Sequence, residues 1–545
     1  MNIENQLRQV IHEVLKKLYG MDDPDSIIVE IPKNTDYGDY ATPAAMQLAK
    51  TLHQSPRAIA EEMKKELLKH EDFIKTVEIA GPGFINFRLK TDSLAQVINK
   101  VLEEGSEYGK NKTGKAFPIL LEYVSANPTG DLHLGHARGA VWGDALSRVL
   151  LACGYDVLRE YYVNDAGAQM RNLALSVYSR YAECFGKEVP IPADGYMGED
   201  VKEIGRAIAK EDGPIWLEKE EGRLEYFQKK GYEKELDKIK KDLNDFRVGF
   251  DSWISEQSLY DSGRVDQAIQ DLQAMGAVYE KDGALWLETT RWGDDKDRVL
   301  RKADGLLTYM TPDIANHLYK LQRGYKKMID LWGADHHGYI PRMKAAMQAF
   351  GYDADVLEVD IIQMVHLVED GKEVKMSKRT GNAVTIRELM EDVGVDAARY
   401  FFVSRAVDNQ MDFDLNLARK KSNENPVYYI QYAHARTCGV LRNAPKFQKK
   451  ESYTLLNTEK EMDLLKLLDL YPSLLVDAAE QRLPSKLATY LIQFSSAFHS
   501  FYNAYKVIDP EDPALSNERL GLVLAVKQVL ENALDLIGVS APETM

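Results

Sequence analysis

Between Phe117 and Asp165 the chain runs "FPILLEYVSANP", then "HLGHARGAVWGDALSRVLLACGY", then "DVLREYYVND". The first stretch is a buried strand run closed by a turn, the second a helix ending near Gly154, the third another strand. Strand, loop, helix and strand form a βαβ unit, which demands a parallel sheet with ligands at the C-terminal ends of its strands. The apolar strand texture returns in "KMIDLWGADHHGY" and "LEVDIIQMVHLVE", the second half of the sheet. Between the halves, from about 175 to 300, lies a charged stretch of helical texture that reads as an insertion into a nucleotide-binding fold.

A chain of 545 residues is too long for one core. Residues 1–110 mix helical periodicity ("AMQLAKTLHQSPRAIAEEMKKELLK") with a strand-like ending, "GPGFINFRL", before the polar linker "EEGSEYGKNKTGK". They are expected to form a small α/β domain. Residues 111–414 hold the parallel sheet with its insertion. After 415 the strands stop, and "NPVYYIQYAHARTCGVLRNA", "EKEMDLLKLLDLYPSLLVDAAE", "PSKLATYLIQFSSAFHSFYNAYKV" and "NERLGLVLAVKQVLENALDLIGV" are helical segments of an all-α domain, 415–545. The expected class is multidomain, α/β plus all-α.

No apolar run approaches the ~18 residues of a membrane helix. The opening "MNIENQLRQVIHEVLKKLYG" is patterned as an amphipathic helix with acidic residues, not as a signal peptide. Cys153, Cys184 and Cys438 are scattered and never in CxxC spacing, so neither disulfides nor thiolate zinc is expected, and a reducing cytoplasm fits. The formal charge of −16 weighs mildly against a nucleic-acid partner. Local basic patches at "KLQRGYKK", "ARKK" and "KFQKK" leave one open.

His133 and His136 sit three apart at the start of the helix. The HExxH spacing of a metalloprotease is absent, and a zinc site wants a third ligand. An isolated HxxH reads as core or cap histidines. Gly135 and Gly139, where a strand turns into a helix, instead let a phosphate approach the amides and the positive dipole end. Imidazole donors there would stabilise charge building on phosphate oxygens. Far downstream, "KMSKRTGN" places Lys375 and Lys378 on a glycine-bounded loop, where two ammonium groups would counter charge on a departing pyrophosphate. In "WGADHHGY", Asp335 is placed to accept from ribose hydroxyls and Gly333 to let the sugar approach. His336 and His337 are neighbours that point apart at a strand end, so no metal is expected there.

The ordered pair "HLGH" and "KMSK" resembles the signature of class I aminoacyl-tRNA synthetases. Over the whole chain the closer resemblance is to the arginyl-tRNA synthetase family. It is carried by "EYVSANPTGDLHLGHARGA", "YYVNDAGAQM", "VDAARYFF" with "NPVYYIQYAHAR", "DYGDYATPAAMQLAK" and "GPGFINF". The likeness implies a Rossmann-like, HUP-type catalytic core, a helical anticodon-binding domain, and an N-terminal domain that touches the tRNA elbow. It further implies arginine–tRNA ligation through an arginyl-adenylate, with adenylation waiting for bound tRNA.

Carried onto this sequence, His133, His136, Lys375 and Lys378 stabilise the transition state. Glu122, Ser125, Asn127, Tyr309 and Asp313 hold arginine. Gly135, Gly333, Asp335, His336, Val365, Met376 and Ser377 hold ATP. Phe84 and Asn86 would read an elbow base, and Tyr428, Tyr429, Gln431, Tyr432 and Arg436 the anticodon. The arginine set also makes chemical sense independently: a guanidinium is planar, always charged and offers five donors, so its pocket needs carboxylates and neutral acceptors. Some arginyl enzymes lack the second lysine and carry a compensating lysine upstream; here Lys378 is present and Gly130 stands at the upstream place. The C-terminus keeps the family's closing Met545, with Glu543 and Thr544 where a basic residue is expected. The implied partners are arginine, ATP with Mg²⁺ and tRNA(Arg), without zinc or membrane, and the chain is expected to be a cytoplasmic monomer. A cysteine enzyme of this class would call for thiolate zinc, and a glutamate enzyme for a cationic pocket. A catalytically retired relative would not need both motifs intact.

Overall fold

The computed structural model describes residues 3–24, 26–32, 37–374 and 383–545. It opens with helix α1 (Ile3–Tyr19), strand β1 (Tyr40–Thr42), helices α2 (Ala44–Leu52) and α3 (Pro56–Leu67), and strands β2 (Ile74–Ala80) and β3 (Phe84–Leu89). The strands pair antiparallel in the order β1-β3-β2. Helix α3 starts where Ser55 accepts the Ala58 N–H at 3.2 Å, with Pro56 in its first turn. Its face of Ile59, Ala60, Met63 and Leu67 is buried and packs on β2. Helix α4 (Thr91–Glu104) leads out of this region.

The central region runs β4 (Pro118–Glu122), α5 (Leu134–Ala152), β5 (Asp156–Val163), α6 (Ala168–Glu183), α7 (Glu199–Asp212), α8 (Ile215–Glu218), α9 (Arg223–Asp245) and β6 (Ser252–Ser255). It continues with α10 (Glu256–Asp261), α11 (Arg264–Ala274), β7 (Val278–Lys281), β8 (Ala284–Leu287), β9 (Arg298–Arg301), α12 (Met310–Gln322), β10 (Lys327–Gly333), α13 (Ile340–Ala349) and β11 (Leu357–Ile362). Five strands form one sheet in the order β11-β10-β4-β5-β6, and every pairing is parallel. Chain order runs outward from β4 to β6 on one side and from β10 to β11 on the other. The reversal between β4 and β10 opens a crevice at their carboxyl ends, where such sheets bind ligands. Helix α5 is buried along nearly its whole length, from Ala137 to Ala152. It has no polar face because the sheet covers one side and other helices the rest.

The expected insertion over 175–300 requires correction. Strand β6 pairs with β5 from Glu160↔Ser252 to Val163↔Ser255, so it is the edge strand of the main sheet. The excursion is therefore double: helices α6–α9 before β6, and α10 to β9 after it. "SWIS" is four half-buried residues, with neither alternation nor an apolar run to announce a strand. Helices α6–α9 have their own small core of Leu173, Val177, Tyr181, Trp216 and Phe227.

Beyond the sheet lie β12 (Val365–Glu369), β13 (Lys372–Glu373), α14 (Ile386–Val393), α15 (Val395–Val403), β14 (Met411–Asp414) and α16 (Leu415–Arg419). The helical region follows as α17 (Pro426–Arg442), α18 (Glu459–Glu480), α19 (Ser485–Ala504) and α20 (Pro513–Leu536), one helix for each periodic segment of the sequence. The N-terminal region docks on α18. Asp469 accepts the Ile3 N–H at 2.9 Å and the Tyr40 hydroxyl at 3.2 Å, while Lys466 pairs with Asp39 at 2.8 Å. The stretch read as a polar linker is pinned too: Tyr108 is buried and donates to the Leu468 carbonyl at 2.8 Å. One contiguous apolar core runs through all three regions, from Leu7 through Leu146 to Leu530. Among the described residues, no helix is long and apolar enough to cross a membrane.

Candidate functional site

Helix α5 begins at Leu134 because two imidazoles cap it. Nδ1 of His133 accepts the Gly135 N–H at 3.1 Å, and Nδ1 of His136 accepts the His133 N–H at 3.3 Å. This reciprocal capping satisfies backbone donors that a helix start leaves orphaned. Gly135 is required here: a Cβ on it would lie 2.9 Å from Cε1 of His133. With both Nδ1 atoms accepting, each neutral ring carries its proton on Nε2. Burial lowers the His133 pKa, and burial together with His133 brings His136 down to about 3. The two rings lie tilted against each other, 3.9 Å between centroids, as uncharged donors at the positive end of a helix. They are cap histidines, and both also line a cavity of about 730 Å³.

The loop before them is strained. Val124 and Ser125 leave β4 with φ of +70° and +41°, and the first is β-branched. Tyr123 holds the turn, its ring packed on Gly143, where a Cβ would approach to 2.3 Å. The Ser125 hydroxyl donates to Glu122 at 3.0 Å and accepts the Tyr162 N–H at 3.1 Å. Asn127 donates to Gln169 at 2.8 Å.

Glu122 does not stand free. It pairs with Lys320 at 2.6 Å, and Lys320 pairs with Asp330 at 3.1 Å. Asp330 also meets Nε2 of His317 at 2.8 Å, and His317 Nδ1 donates to the Asp313 carbonyl at 2.7 Å. Glu122, Lys320, Asp330 and His317 are buried, and Asp313 is half-buried. Burial pulls the Glu122 pKa up, with Lys320 opposing. Burial also works against the Lys320 charge, but Asp330 and Glu122 outweigh it and hold the ammonium above its usual range.

Asp313, in the first turn of α12, accepts from the Tyr339 hydroxyl at 2.7 Å, and its pKa is raised by burial. Next to it lies a residue that the motifs did not single out. Glu256, the first residue of α10, has its pKa pushed up to about 7 by burial and then by the Asp313 charge. The buried Tyr162 hydroxyl is held far above its usual range by burial and by the carboxylates of Glu256, Asp313 and Glu122. Desolvated carboxylates that repel one another mark a place made for a cation. Tyr309 is not brought into this group: it is 80 % exposed at the N-terminus of α12.

Gly333, Asp335, His336 and Val365 line the same cavity as the two capping histidines, with Gly135, Ser125 and Asn127. A Cβ on Gly333 would lie 2.7 Å from Oδ1 of Asp335. Lys375, Met376, Ser377 and Lys378 lie outside the described residues; the cavity wall includes Val374 on one side and Ala383 and Val384 on the other. Among the described residues, no group of three or more His, Cys, Asp or Glu is arranged to hold a metal ion.

A second candidate surface lies on the helical region. Tyr428, Tyr432 and Arg436 fall four apart and share one face of α17. The Tyr428 and Tyr432 rings stack at 6.1 Å. The Arg436 guanidinium lies 4.5 Å from the centre of Tyr432 and 4.6 Å from that of Tyr502. Tyr429 packs against His499 at 4.6 Å. An open cavity of about 810 Å³ runs from Tyr432 and Arg436 past Tyr502 and Lys506 to Met545. Gln431 points elsewhere: it is buried and donates to Asp396 at 2.9 Å and to the Ser540 carbonyl at 3.0 Å. Residue 431 lies three positions from Tyr428 but well round the helix from Arg436, at the edge of the 428–432–436 face, where it meets Asp396 and Ser540. In the N-terminal sheet Phe84 is half-exposed, whereas Asn86 is only 6 % exposed.

The sequence matches the family "tRNA synthetases class I (R), catalytic domain" over residues 97–418, the "Arginyl tRNA synthetase N terminal domain" over 5–89 and the "DALR anticodon binding domain" over 430–545. It is 52% identical to the arginine–tRNA ligase of Bacillus subtilis (strain 168), with 100% of both chains covered. The chain belongs to the arginyl-tRNA synthetase family. Among solved structures, a putative arginyl-tRNA synthetase from Campylobacter jejuni superposes with a TM-score of 0.77 at 37% identity, covering 83% of this chain and 99% of that one. The Thermus thermophilus arginyl-tRNA synthetase has the same TM-score of 0.77 at 22% identity over 100% of both chains, which speaks to the fold. The family core is thus the parallel sheet whose switch point carries the capping histidines, and the DALR match takes in most of the aromatic face.

Proposed function

We propose that the chain is an arginine–tRNA ligase that activates arginine with ATP and transfers it to the 3′ end of tRNA(Arg), forming AMP and pyrophosphate. One observation carries this reading: the acid pair Asp313 and Glu256 and the neutral pair His133 and His136 both stand at the C-terminal side of one parallel sheet. The first suits a guanidinium and the second a chain of phosphates.

In the first step the arginine carboxylate attacks the α-phosphate in line. A new P–O bond forms as the bond to pyrophosphate breaks, giving arginyl-adenylate. In the second step a terminal ribose hydroxyl attacks the activated carbonyl and AMP leaves. No protein nucleophile is needed, because positioning and charge stabilisation carry the rate. The Nε2–H groups of His133 and His136 donate to phosphate oxygens, and Asp335, His336, Gly333 and Val365 hold the nucleoside. Lys375 and Lys378 counter the charge of the leaving pyrophosphate, and Mg²⁺ comes with ATP and screens its phosphates. Asp313 and Glu256 take the guanidinium, while Glu122, engaged by Lys320, orders the loop through Ser125. Tyr428, Tyr429, Tyr432 and Arg436, with Tyr502, offer stacking surfaces to anticodon bases, backed by the buried His499, and Phe84 offers one to the elbow. The reaction takes place in the cytoplasm, where its tRNA partner is.

Pyrophosphate exchange with each amino acid, with and without tRNA, tests the reading. Arginine alone is expected to support exchange, and only with tRNA present. Equal exchange with other amino acids, or none with arginine, overturns it. His136→Ala is expected to lower kcat for exchange by ~10²–10³-fold, the usual effect of losing one donor to a developing oxyanion, with the arginine KM changed only a few-fold.

Glu256 makes arginine binding pH-dependent. Its raised pKa means that it holds a proton below about pH 7 and is a carboxylate above. A guanidinium binds the carboxylate, so arginine binding expels that proton and the apparent affinity falls as pH drops through 7. The arginine KM is expected to be several-fold higher at pH 6 than at pH 8 in wild type, and flat in Glu256→Gln. A flat wild-type profile refutes the assignment.

A further inference from the structure

Two residues after His136, Arg138 is fully buried in the second turn of α5. A guanidinium this deep is ordinarily balanced by a carboxylate, as Arg399 is by Asp144. Among the described residues no carboxylate is ion-paired with Arg138. Burial brings its pKa down to about 10 against the pull of Asp408, so it still carries its charge at neutral pH. That charge is spent on backbone carbonyls. Nη1 donates to the carbonyl of Gln363 at 3.1 Å and to that of Asn409 at 2.7 Å, and Nη2 donates to that of Ala406 at 2.8 Å.

These carbonyls belong to two segments. Gln363 opens the turn from β11 to β12, and Ala406 and Asn409 lie between α15 and β14. The two segments are laced together: the Gln363 N–H donates to the Val407 carbonyl at 2.9 Å, and the Met411 N–H to that of Met364 at 3.3 Å. Arg138 ties the pair to α5. The helix passes close to the end of β11 as well, since a Cβ on Gly139 would lie 3.7 Å from Cγ1 of Ile362. Gly139, Ile362, Gln363, Met364 and Val365 line the same cavity as the capping histidines. From His133 to Arg138 the helix rises roughly 7 Å. One straight element thus carries both the imidazole donors and the grip on the turn at 363–365.

We infer that Arg138 is a positioning residue for the adenine end of the ATP site, holding the backbone of Met364 and Val365 in place through the carbonyls of Gln363, Ala406 and Asn409. This rests on the proposed ATP site, in which Val365 meets the nucleoside. A site built to hydrogen-bond one edge of a substrate strongly rejects an analogue with a different edge. Hydrogen bonds weaken steeply with misalignment, so a turn released from Arg138 discriminates less. The arginine pocket, built on β4, α10 and α12, makes no use of these carbonyls, and the arginine KM is spared.

Pyrophosphate exchange by the full chain with arginine and tRNA, run with ATP and with inosine triphosphate, tests this in wild type, Arg138→Met and Arg138→Lys. Inosine triphosphate differs only at the purine edge, where an oxo group and a ring N–H replace adenine's amino group and ring acceptor. Wild type is expected to favour ATP by ~100-fold or more in kcat/KM. Arg138→Met should raise the ATP KM at least ten-fold, shrink the preference for ATP at least five-fold and move the arginine KM less than three-fold. Arg138→Lys keeps the charge and donors for some of the carbonyls, so its preference should lie between the two. Thermal melts run alongside: if Arg138→Met does not fold, Arg138→Lys carries the test on the same ratio, with a fall of at least two-fold expected. Failure of both variants to fold makes Arg138 a residue of the fold alone and overturns the proposal. An undiminished preference for ATP also overturns it, even where activity falls, because general loosening or a lost charge near the phosphates slows both nucleotides alike. So does a loss that rises equally in the arginine KM, or a wild type that uses both nucleotides equally well. Wild-type protein that exchanges no pyrophosphate with arginine and ATP removes the parent reading and this role together, whereas normal wild-type exchange with unaffected variants removes the role of Arg138 alone.

Discussion

Asp313→Asn is expected to raise the arginine KM by ~10²-fold or more while the ATP KM stays within a few-fold. The carboxylate sits in the first turn of α12, accepts from Tyr339, and is raised by burial rather than by salt. Its charge also helps burial hold Glu256 up to about 7. The two acids are desolvated in the free protein and become favourable only when a cation enters. Removing one charge from a buried, hydrogen-bonded pair typically costs about 2–5 kcal/mol. Two orders of magnitude in affinity correspond to about 2.7 kcal/mol, near the lower end of that range. Asparagine keeps the shape and an acceptor for Tyr339, so the loss reports the missing charge. Steady-state exchange kinetics over arginine concentration check it. An unchanged KM would move the guanidinium elsewhere, with Glu122 the next candidate despite its tie to Lys320.

Arg399→Met is expected to destabilise the fold by about 3–5 kcal/mol, the cost of stripping one partner from a buried ion pair. Arg399 is fully buried in α15 and spends its whole guanidinium on three regions. Nη2 meets Asp144 of α5 at 2.5 Å, Nη1 donates to the carbonyls of Phe246 and Arg247 at 2.9 and 3.0 Å, and Nε donates to that of Ile537 at 3.1 Å. Methionine fills much of the space but satisfies none of these groups. Asp144 is left fully buried with Arg148 at 2.8 Å as its remaining counter-charge. Whole domains are stable by only ~5–15 kcal/mol, so the variant loses a large share of its margin. Urea denaturation followed by tryptophan fluorescence measures the shift. A loss below about 1 kcal/mol would mean that the joint relaxes to find other partners.

Much of this was legible from residue patterns. The apolar runs around β4, β5, β10 and β11 are long enough to mark buried parallel strands, and the punctuated helices α17–α20 have strong periodicity. Glu122 and Asp313 stood out because a guanidinium needs acids. The misses share a cause: burial and partnership are tertiary. Glu256 follows a serine that accepts the Ser258 N–H, so in sequence it reads as an ordinary acidic residue in the first turn of a capped helix. Nothing local announces that Lys320, two turns beyond Asp313, will neutralise Glu122 from across the sheet. His499 and Tyr502 were hidden in the apolar texture of α19, although their three-residue spacing on one face was visible. Gln431 shows the opposite error: it lies among the tyrosines in sequence, but at the edge of their face it is buried against Asp396 and Ser540.

The docking of the N-terminal region on α18 has a thermal consequence. Asp469 receives the Ile3 N–H and the Tyr40 hydroxyl, and the apolar core passes through this junction into the sheet and the helices without a break. Heat is therefore expected to melt the three regions in one transition, which differential scanning calorimetry checks. The surfaces proposed for the elbow and the anticodon are then expected to be lost together with the cleft between them, in one transition rather than in three.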